Sequence, residues 1–261
     1  MSKVLILGHK GMLGNIACTY LSQKGFEVLT TDVRWGDESF KKSILSLSPD
    51  YIINCIGLIP QRKPSDEEYK FINTDLPVFL DTLGIKVIHP TTDCEFDGTL
   101  PSDQQYPKTH PRTPLDAYGR SKAESSQFLE EHGKNSKIIR TSIIGHDEKT
   151  HLGLLDWFLH AEGEVKGFTN HFWNGLTTLQ WMKIAEDMLN NWDTYNVLNQ
   201  FGTTENKSKY EVLLIAKDIY DKQITVIPFE ASVYINRCVE SDKQIPSLQE
   251  QLKELKAYYG K

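Results

Sequence analysis

The sequence has few cysteines, no long apolar run and no excess of basic residues, and each absence excludes a class of protein. Only 4 of its 261 residues are cysteines, and no two of them form a Cys-x-x-Cys pair. This spacing argues against a structural zinc site or a disulfide framework, and it fits a reducing compartment. The longest unbroken apolar run, 212–216, has five residues, whereas a membrane-spanning helix needs ~20.

The charge balance and the first residues of the chain indicate which partners and compartment to expect. The chain has 29 Lys and Arg against 35 Asp and Glu, a net charge of −6, which provides no broad basic surface for nucleic acid. The first residues enter an apolar run without the long apolar region of a signal peptide, and the histidines show no metal-ligand spacing. We therefore expect a cytoplasmic globular protein without a metal ion, a membrane partner or a nucleic-acid partner.

Short apolar runs alternate with amphipathic stretches from the start of the chain to Gly145, and this alternation predicts the fold class. Continuous apolar strands separated by helices indicate parallel β-α-β units, because a strand covered on both faces has no polar side. We therefore predict an α/β protein with a doubly wound, Rossmann-like parallel sheet. The predicted strands are 4–7, 27–32, 51–57, 86–93 and 137–145, and the helices between them are 12–23, 38–47, 66–83 and 118–132.

Gly8, Gly11 and Gly14 form a G-x-x-G-x-x-G loop between the first predicted strand and the first predicted helix. Such a loop turns tightly, lets the backbone approach a pyrophosphate and directs a helix N-terminus at the anion. Asp32 ends the second predicted strand, where a carboxylate can bind an adenosine ribose hydroxyl. A structural turn with an incidental carboxylate is the alternative. The strand–loop–helix setting favours a dinucleotide site.

The residues around this loop bear on the choice between NAD and NADP. Asp32 favours a free 2′-hydroxyl, whereas Lys10 and Arg34, with His9 as a further candidate, are suited to a 2′-phosphate. Solvated surface charges are the alternative interpretation of Lys10 and Arg34. On balance the sequence slightly favours NADP(H) over NAD(H).

The pattern is looser after residue 145. We predict residues 1–145 as an NAD(P)-binding Rossmann-like region and residues 146–261 as a mixed region that completes the sheet and forms a small C-terminal substrate-binding cap, all in one compact unit. The loop 98–114 contains four prolines, too many for a helix or a central strand, and we expect it over the carboxyl ends of the strands. The later pattern predicts helices at 152–161, 177–191, 207–220 and 247–258 and strands at 195–201 and 223–229.

Tyr118 and Lys122 are spaced i and i+4, so they share one face of a predicted helix. A phenol with a pKa near ~10 is a poor acid or base at neutral pH, but a neighbouring ammonium favours its anion. We therefore predict a catalytic pair, to which Thr92, near the end of the fourth strand, adds a hydroxyl for a carbonyl oxygen. Tyr-x-x-x-Lys also occurs by chance on helix surfaces, so this interpretation depends on the glycine loop and strands that precede it.

Together these residues resemble the extended short-chain dehydrogenase/reductase superfamily, and within it the dTDP-4-dehydrorhamnose reductases and related nucleotide-sugar 4-ketoreductases. The likeness is dense up to Gly145 and weaker beyond it. In the second half, a substrate-loop segment and a late arginine-containing segment are similar to the family. The segments that carry the resemblance are 8–14, 54–57, 73, 91–98, 114–122, 140–142, 170–178 and 236–241.

The resemblance implies an enzyme that uses NAD(P)H to reduce the 4-keto group of a nucleotide-linked 4-keto-6-deoxy sugar, in deoxysugar or surface-polysaccharide biosynthesis. It implies a catalytic trio of Thr92, Tyr118 and Lys122. Arg237 is the candidate for the substrate diphosphate, since a guanidinium presents a planar fork to phosphate oxygens. The predicted substrate-binding residues are Thr92, Asp93, Tyr118, Trp173, Asn174 and Arg237, and the predicted cofactor-binding residues are Gly8, Lys10, Gly11, Met12, Leu13, Gly14, Asp32, Arg34, Cys55, Ile56, Gly57, Tyr118 and Lys122.

The chain also departs from the family pattern, and the departures leave alternatives open. It has Cys94 where the family usually has an aromatic residue. An epimerase-reductase, in which Cys94 with His171 or His146 serves as acid and base, is one alternative. A non-catalytic cofactor-binding regulatory subunit is the other, although it has no need of the complete trio. The nucleotide base, the sugar, the stereochemistry at C4 and the oligomeric state stay open, with a homodimer among the possibilities.

Overall fold

The strands of the structure, a computed structural model that describes residues 1–147 and 149–260, follow the apolar runs of the sequence. The strands, in chain order, are β1 (Lys3–Leu7), β2 (Glu27–Thr30), β3 (Tyr51–Asn54), β4 (Lys86–Thr91), β5 (Ser136–Arg140), β6 (Ile143–Ile144), β7 (Glu164–Phe168), β8 (His171–Trp173), β9 (Leu176–Thr177), β10 (Leu198–Gln200), β11 (Lys207–Ser208), β12 (Thr225–Phe229) and β13 (Ile235–Asn236). Every strand predicted before Gly145 corresponds to one of them.

The central sheet has six strands in the order β10-β5-β4-β3-β1-β2. β1 pairs in parallel with β2 on one side and with β3 on the other, and β3 pairs in parallel with β4. The strand order therefore reverses at β1, and Leu7 and Asn54, the last residues of β1 and β3, are level with each other. In open α/β sheets ligands bind outside the carboxyl ends of the strands at such a reversal. The predicted α/β, doubly wound sheet is confirmed.

The helices also follow the predicted pattern. The helices are α1 (Met12–Gln23), α2 (Phe40–Leu47), α3 (Asp66–Tyr69), α4 (Leu76–Asp81), α5 (Ala117–His132), α6 (Leu154–His160), α7 (Thr178–Asn190), α8 (Lys209–Ile219) and α9 (Leu248–Tyr259), with a π-helical segment at Lys70–Asp75 and 3-10 turns at Pro60–Arg62, Asp93–Glu95 and Trp192–Thr194. A side-chain cap marks the start of α3, α5, α8 and α9. The serines before the last two helices, Ser208 and Ser247, each form a capping box with a glutamate three residues later, which satisfies amide groups of the first turn.

The chain divides into two compact units. The first comprises Met1–Thr91, Asp116–Ile139 and Met182–Asn199, and the second comprises Thr92–Leu115, Arg140–Trp181 and Gln200–Lys261. Both units contain segments from before and after residue 145. The predicted division into regions 1–145 and 146–261 stays a prediction. No helix within residues 1–147 and 149–260 is long and apolar enough to cross a membrane.

Each unit has its own apolar core. In the first, side chains of β1, β3, β4, α2 and α4 pack together in a cluster that includes Leu5, Ile52 and Leu80. In the second, Phe96 stacks on Tyr106 with ring centroids 4.4 Å apart, and Val239 packs with them. The second unit also contains a three-stranded sheet, β11-β8-β13, and the two-stranded sheets β12-β7 and β6-β9. Between residues 98 and 114 the chain forms isolated bridges but no helix, as predicted.

Candidate functional site

The glycine loop is a tight turn between β1 and α1. Gly8 has a φ of +77°, and its carbonyl oxygen accepts a hydrogen bond from the Gly11 amide at 3.0 Å. A Cβ on Gly14 would lie 2.2 Å from the Gly8 oxygen, so close packing of helix and strand requires glycine there. A Cβ on Gly11, in contrast, would meet nothing closer than 3.5 Å. The protein's own packing therefore does not explain Gly11, whereas close approach of a pyrophosphate does.

The first turn of α1 is a ready anion site. Gly11 is its N-cap and has no side chain to bond the free amides, and no acidic residue lies in the first turn. The amides at the start of a helix have no intrahelical partner and carry partial positive charge. Met12 and Leu13, predicted to bind the cofactor, would contact it through such backbone amides. The loop thus fits the pyrophosphate of a dinucleotide.

Asp32 lies two residues after β2 and meets the glycine loop. The Lys10 Nζ donates to Asp32 Oδ1, and the His9 Nε2 lies 3.6 Å from the same oxygen. The Asp32 side chain is 74% exposed, and Arg34 is also exposed. The His9 Nδ1 is buried without a hydrogen-bond partner among the described residues. The structure thus brings together Asp32, suited to a ribose hydroxyl, and Lys10, suited to a 2′-phosphate.

The loop after β3 is held by side-chain amides. The Asn54 Oδ1 accepts from the Ile56 amide at 3.1 Å. Asn73, in the π-helical segment and fully buried, accepts from the Leu58 amide at 2.9 Å and donates to the Leu58 carbonyl at 3.1 Å and to the Ser121 hydroxyl at 3.2 Å. Asn73 therefore ties this loop to α5.

Tyr118 and Lys122 project from the start of α5. The Asp116 carboxylate caps this helix by accepting from the Gly119 amide at 2.7 Å. Tyr118 is half-buried, and its ring centroid is 6.0 Å from that of Tyr69. Lys122 is only 8% exposed, and its Nζ donates to the Pro90 carbonyl at 3.4 Å.

The Lys122 ammonium lies beside the loop after β3. A Cβ on Gly57 would be 3.4 Å from the Lys122 Nζ. Burial, and then the charge of Lys122, lower the pKa of His89 to about 3. His89 faces Asn54 Nδ2 at 3.4 Å and Ser136 Oγ at 3.2 Å. Burial of an ammonium is costly unless the charge is compensated or used, and the catalytic role of Lys122 stays a prediction.

In the second unit, the predicted substrate residues Thr92 and Asp93 form one cluster with Arg237. The Thr92 hydroxyl donates to Asp93 Oδ1 at 3.0 Å and accepts from the Cys94 amide at 3.1 Å. The Arg237 Nε donates to the Phe96 carbonyl at 2.9 Å, and its Nη1 lies 3.4 Å from Cys94 Sγ. Burial raises the pKa of Asp93, and the charge of Arg237 opposes that shift.

Trp173 and Asn174 are held in the interior of the second unit. Trp173 is 5% exposed, and its Nε1 donates to the Ser142 hydroxyl at 2.8 Å. The Asn174 Nδ2 donates to the carbonyls of Thr203 and Val239 at 2.9 and 2.8 Å, and its Oδ1 accepts from the Val239 amide at 3.0 Å. These contacts are those of structural residues, and the roles of both in substrate binding stay predictions.

A buried ion cluster that sequence reasoning missed fixes the turn carrying Asp93. Glu95 and Arg140 are fully buried, and the Glu95 Oε2 accepts from Arg140 Nη2 at 2.6 Å and from Arg112 Nε at 3.0 Å. Arg140 also donates to Gln200 Oε1 at 3.1 Å. The signal in the sequence was an arginine at the end of an apolar strand, where a charge needs a buried partner.

A family model described as the RmlD substrate binding domain matches residues 2–166. The chain belongs to that family. The match covers the glycine loop, the Thr92–Asp93 turn and the Tyr118–Lys122 pair, and it confirms the resemblance found in the sequence.

Individual proteins similar to this chain support the same assignment. The chain is 29% identical over 157 residues to the spore coat polysaccharide biosynthesis protein SpsK of Bacillus subtilis (strain 168), across 56% of this chain and 55% of SpsK. It is 30% identical over 153 residues to a dTDP-4-dehydrorhamnose reductase of Aggregatibacter actinomycetemcomitans, across 54% of this chain and 51% of that protein. The chain thus matches about half the length of these curated relatives.

A solved structure shares the fold. The crystal structure of a dTDP-4-dehydrorhamnose reductase from Bacillus anthracis, in complex with NADP, superposes with a TM-score of 0.86. The superposition covers 99% of this chain and 100% of that chain, at 18% sequence identity. The shared architecture confirms the predicted fold.

Proposed function

We propose that this chain is an NAD(P)H-dependent oxidoreductase that reduces the 4-keto group of a nucleotide-linked 4-keto-6-deoxy sugar, such as dTDP-4-dehydrorhamnose. The observation that carries the proposal is the buried ammonium of Lys122, four residues after Tyr118 on α5 and beside Gly57. The family match and the names of two relatives, a dTDP-4-dehydrorhamnose reductase and a spore coat polysaccharide biosynthesis protein, support the reaction class and a role in polysaccharide biosynthesis.

The residues of the first unit fit a nicotinamide dinucleotide, which when bound would supply the hydride. The glycine loop and the first amides of α1 would hold its pyrophosphate. Asp32, Lys10 and Arg34 would bind the adenosine ribose, and the residues after β3 from Cys55 to Gly57 would line the remainder. We propose a slight preference for NADP(H), because both Lys10 and Arg34 are suited to a 2′-phosphate.

The chain's own contribution to the chemistry is a proton and a charge. Tyr118 donates its phenolic proton to the oxygen that forms at C4 of the sugar. Lys122 favours the tyrosinate that this transfer leaves and bonds the nicotinamide ribose. Thr92, whose hydroxyl otherwise donates to Asp93, turns that hydrogen to the developing oxyanion. Arg237 binds the diphosphate of the substrate, with Asp93, Trp173 and Asn174 as further substrate contacts.

The test is consumption of NADPH and NADH with a panel of nucleotide-linked 4-keto-6-deoxy sugars, followed by the near-ultraviolet absorbance of the reduced nicotinamide. We expect turnover by the wild type and a loss of ~10²–10⁴-fold in kcat for Tyr118→Phe. Cofactor affinity, measured by fluorescence titration, should be nearly unchanged in this variant. Wild-type turnover by Tyr118→Phe would show that the phenol is not the acid.

Two other outcomes of this test would each support one of the alternative functions. Cofactor binding without turnover of any sugar in the panel would favour a regulatory cofactor-binding subunit. Solvent deuterium at C3 or C5 of the product would favour an epimerase-reductase, in which Cys94, in contact with Asp93 and Arg237, acts on the carbon next to the ketone. The cytoplasmic location and a homodimer stay predictions from the sequence.

A further inference from the structure

One face of the three-stranded sheet in the second unit carries Arg237 and His171. Residues paired directly on neighbouring strands lie on the same face, as do residues two positions apart on one strand. Ile235 of β13 pairs with His171 of β8. Arg237 follows Ile235 by two residues, and both side chains approach Gly98, where a Cβ would lie 3.0 Å from Arg237 Cγ and 3.1 Å from Ile235 Cγ2.

Lys209 reaches the same face from the opposite edge of the sheet. Ser208 of β11 pairs antiparallel with Phe172 and has an extended backbone, so the next residue, Lys209, which begins α8, follows β8 toward His171. The charges agree with this placement, because Lys209 and Arg237 both lower the pKa of His171, whose main shift is a lowering by burial. Lys209 and Arg237 therefore flank β8 from its two sides.

The two cations exceed the nearby negative charge. Burial raises the pKa of the Asp93 carboxyl, and the charges of both cations oppose that rise. The next carboxylate of that turn, Glu95, is already bound by Arg140 and Arg112. His171 is neutral at physiological pH, because burial lowers its pKa, although the hydrogen bond from its Nε2 to the Val233 carbonyl, at 2.9 Å, opposes that shift. The face consequently has a net positive charge next to the residues predicted to bind substrate.

Both cations have donors available for a ligand. The Arg237 guanidinium is anchored through Nε and Nη1, which leaves further N–H donors of its fork without a partner in the described part of the chain. Lys209 is half-buried, and its side chain makes no hydrogen bond or ion pair within residues 1–147 and 149–260. Lys207, which precedes it by two residues, is instead paired with Glu205 at 2.7 Å.

We propose that Lys209 and Arg237 form a two-cation clamp that binds the diphosphate of the nucleotide sugar across β8. Lys209 directly follows β11 and Arg237 directly follows β13. These two strands are two strand spacings apart, ~10 Å, and the long side chains can close that distance on adjacent phosphates. The guanidinium binds one phosphate as a fork and the ammonium binds the other as a point charge. This inference rests on the proposed function, since it assumes a nucleoside diphosphate as part of the substrate.

The test is calorimetric titration of the full chain with dTDP and with UDP, and with thymidine and uridine as phosphate-free probes. For Lys209→Met we expect an increase in Kd for the diphosphate of ~10–100-fold, the loss of one charge-assisted hydrogen bond. Affinity for the nucleoside and for NADPH should be unchanged. Lys209→Arg should retain most of the diphosphate affinity, and Lys207→Met, the matched control, should retain nearly all of it.

The outcomes separate the clamp from the proposed function. If the wild type binds a nucleoside diphosphate and Lys209→Met binds it equally well, the clamp is wrong and the proposed function stands. If the wild type binds neither dTDP nor UDP, the clamp is wrong for both diphosphates, and turnover of the sugar panel with NADPH decides separately whether the proposed function stands. If Lys209→Met weakens thymidine or NADPH as much as dTDP, its effect is not on a phosphate, and the clamp is again wrong.

Discussion

The glycine loop of the first unit (residues 8–14) and the turn of the second unit (residues 92–98) both carry residues assigned to the site, but they are held in different ways. In the glycine loop, backbone atoms meet backbone atoms, as at Gly14, which has no room for a Cβ beside the Gly8 oxygen. In the turn, a buried carboxylate, Glu95, is bound by two guanidinium groups. The glycine loop is thus shaped by the absence of side chains, and the turn is shaped by buried charges.

Because of this difference, the two segments depend on residues at different distances along the chain. At Gly14 the contacts that require glycine lie within the loop itself, at Gly8 and His9. Glu95, in contrast, is bound by Arg112, 17 residues away, and by Arg140, 45 residues away. Local packing can be deduced from a short motif, whereas a buried ion cluster requires the whole topology to be known first.

The largest expected effect on stability comes from removing the charge of Glu95 while keeping the shape of its side chain. Glu95→Gln leaves the guanidinium groups of Arg140 and Arg112 without an anion in the interior, and we expect a loss of ~3–5 kcal/mol in the free energy of unfolding. Urea unfolding followed by circular dichroism measures it. Glu27→Gln, which removes an exposed ion pair of 3.9 Å with Lys3, is the control and should cost less than ~1 kcal/mol. Equal losses would show that the second unit does not depend on buried charge.

The corresponding change in the glycine loop is Gly14→Ala. The added methyl group would lie 2.2 Å from a backbone oxygen, so helix and strand must move apart, and we expect a loss of ~1–3 kcal/mol in the free energy of unfolding. Urea unfolding measures this loss too. Because the strain is in the backbone, it should be independent of salt concentration. A variant as stable as the wild type would mean that α1 and β1 pack less closely than described.

The same contrast explains which parts of the fold could be predicted. β1 and α1 lie close to their predicted bounds, since buried strands and amphipathic helices have a clear period. The fourth and fifth strands end earlier than predicted, at Thr91 and Arg140, because polar side chains after the apolar run turn to local or buried partners. The strands β8, β11 and β13 have two or three residues each, too few for any period, and only their pairing defines them.

The residues of the site also differ in how far the sequence alone could predict their placement. Tyr118 and Lys122 share a helix face, and the sequence predicts that from spacing alone. Asn174 was predicted to contact substrate, but its amide bonds the backbone of Thr203 and Val239, distant in sequence. Lys209 was not predicted at all, because it lies beside β8 only through the pairing of β11 with that strand.

The smallest expected change in stability is the most informative about ligand binding. In Gly11→Ala the new methyl group meets nothing in the protein closer than 3.5 Å. Alanine is a poorer N-cap than glycine but restricts the unfolded chain, and these opposing effects should leave the free energy of unfolding within ~1 kcal/mol of the wild type. The methyl group would nevertheless occupy the space in front of α1 that a pyrophosphate needs. We therefore expect the Kd for NADPH, measured by fluorescence titration, to rise by ~10–100-fold, the cost of overpacking a close contact. Unchanged NADPH affinity would mean that Gly11 is open for another reason and that the loop is not the pyrophosphate site.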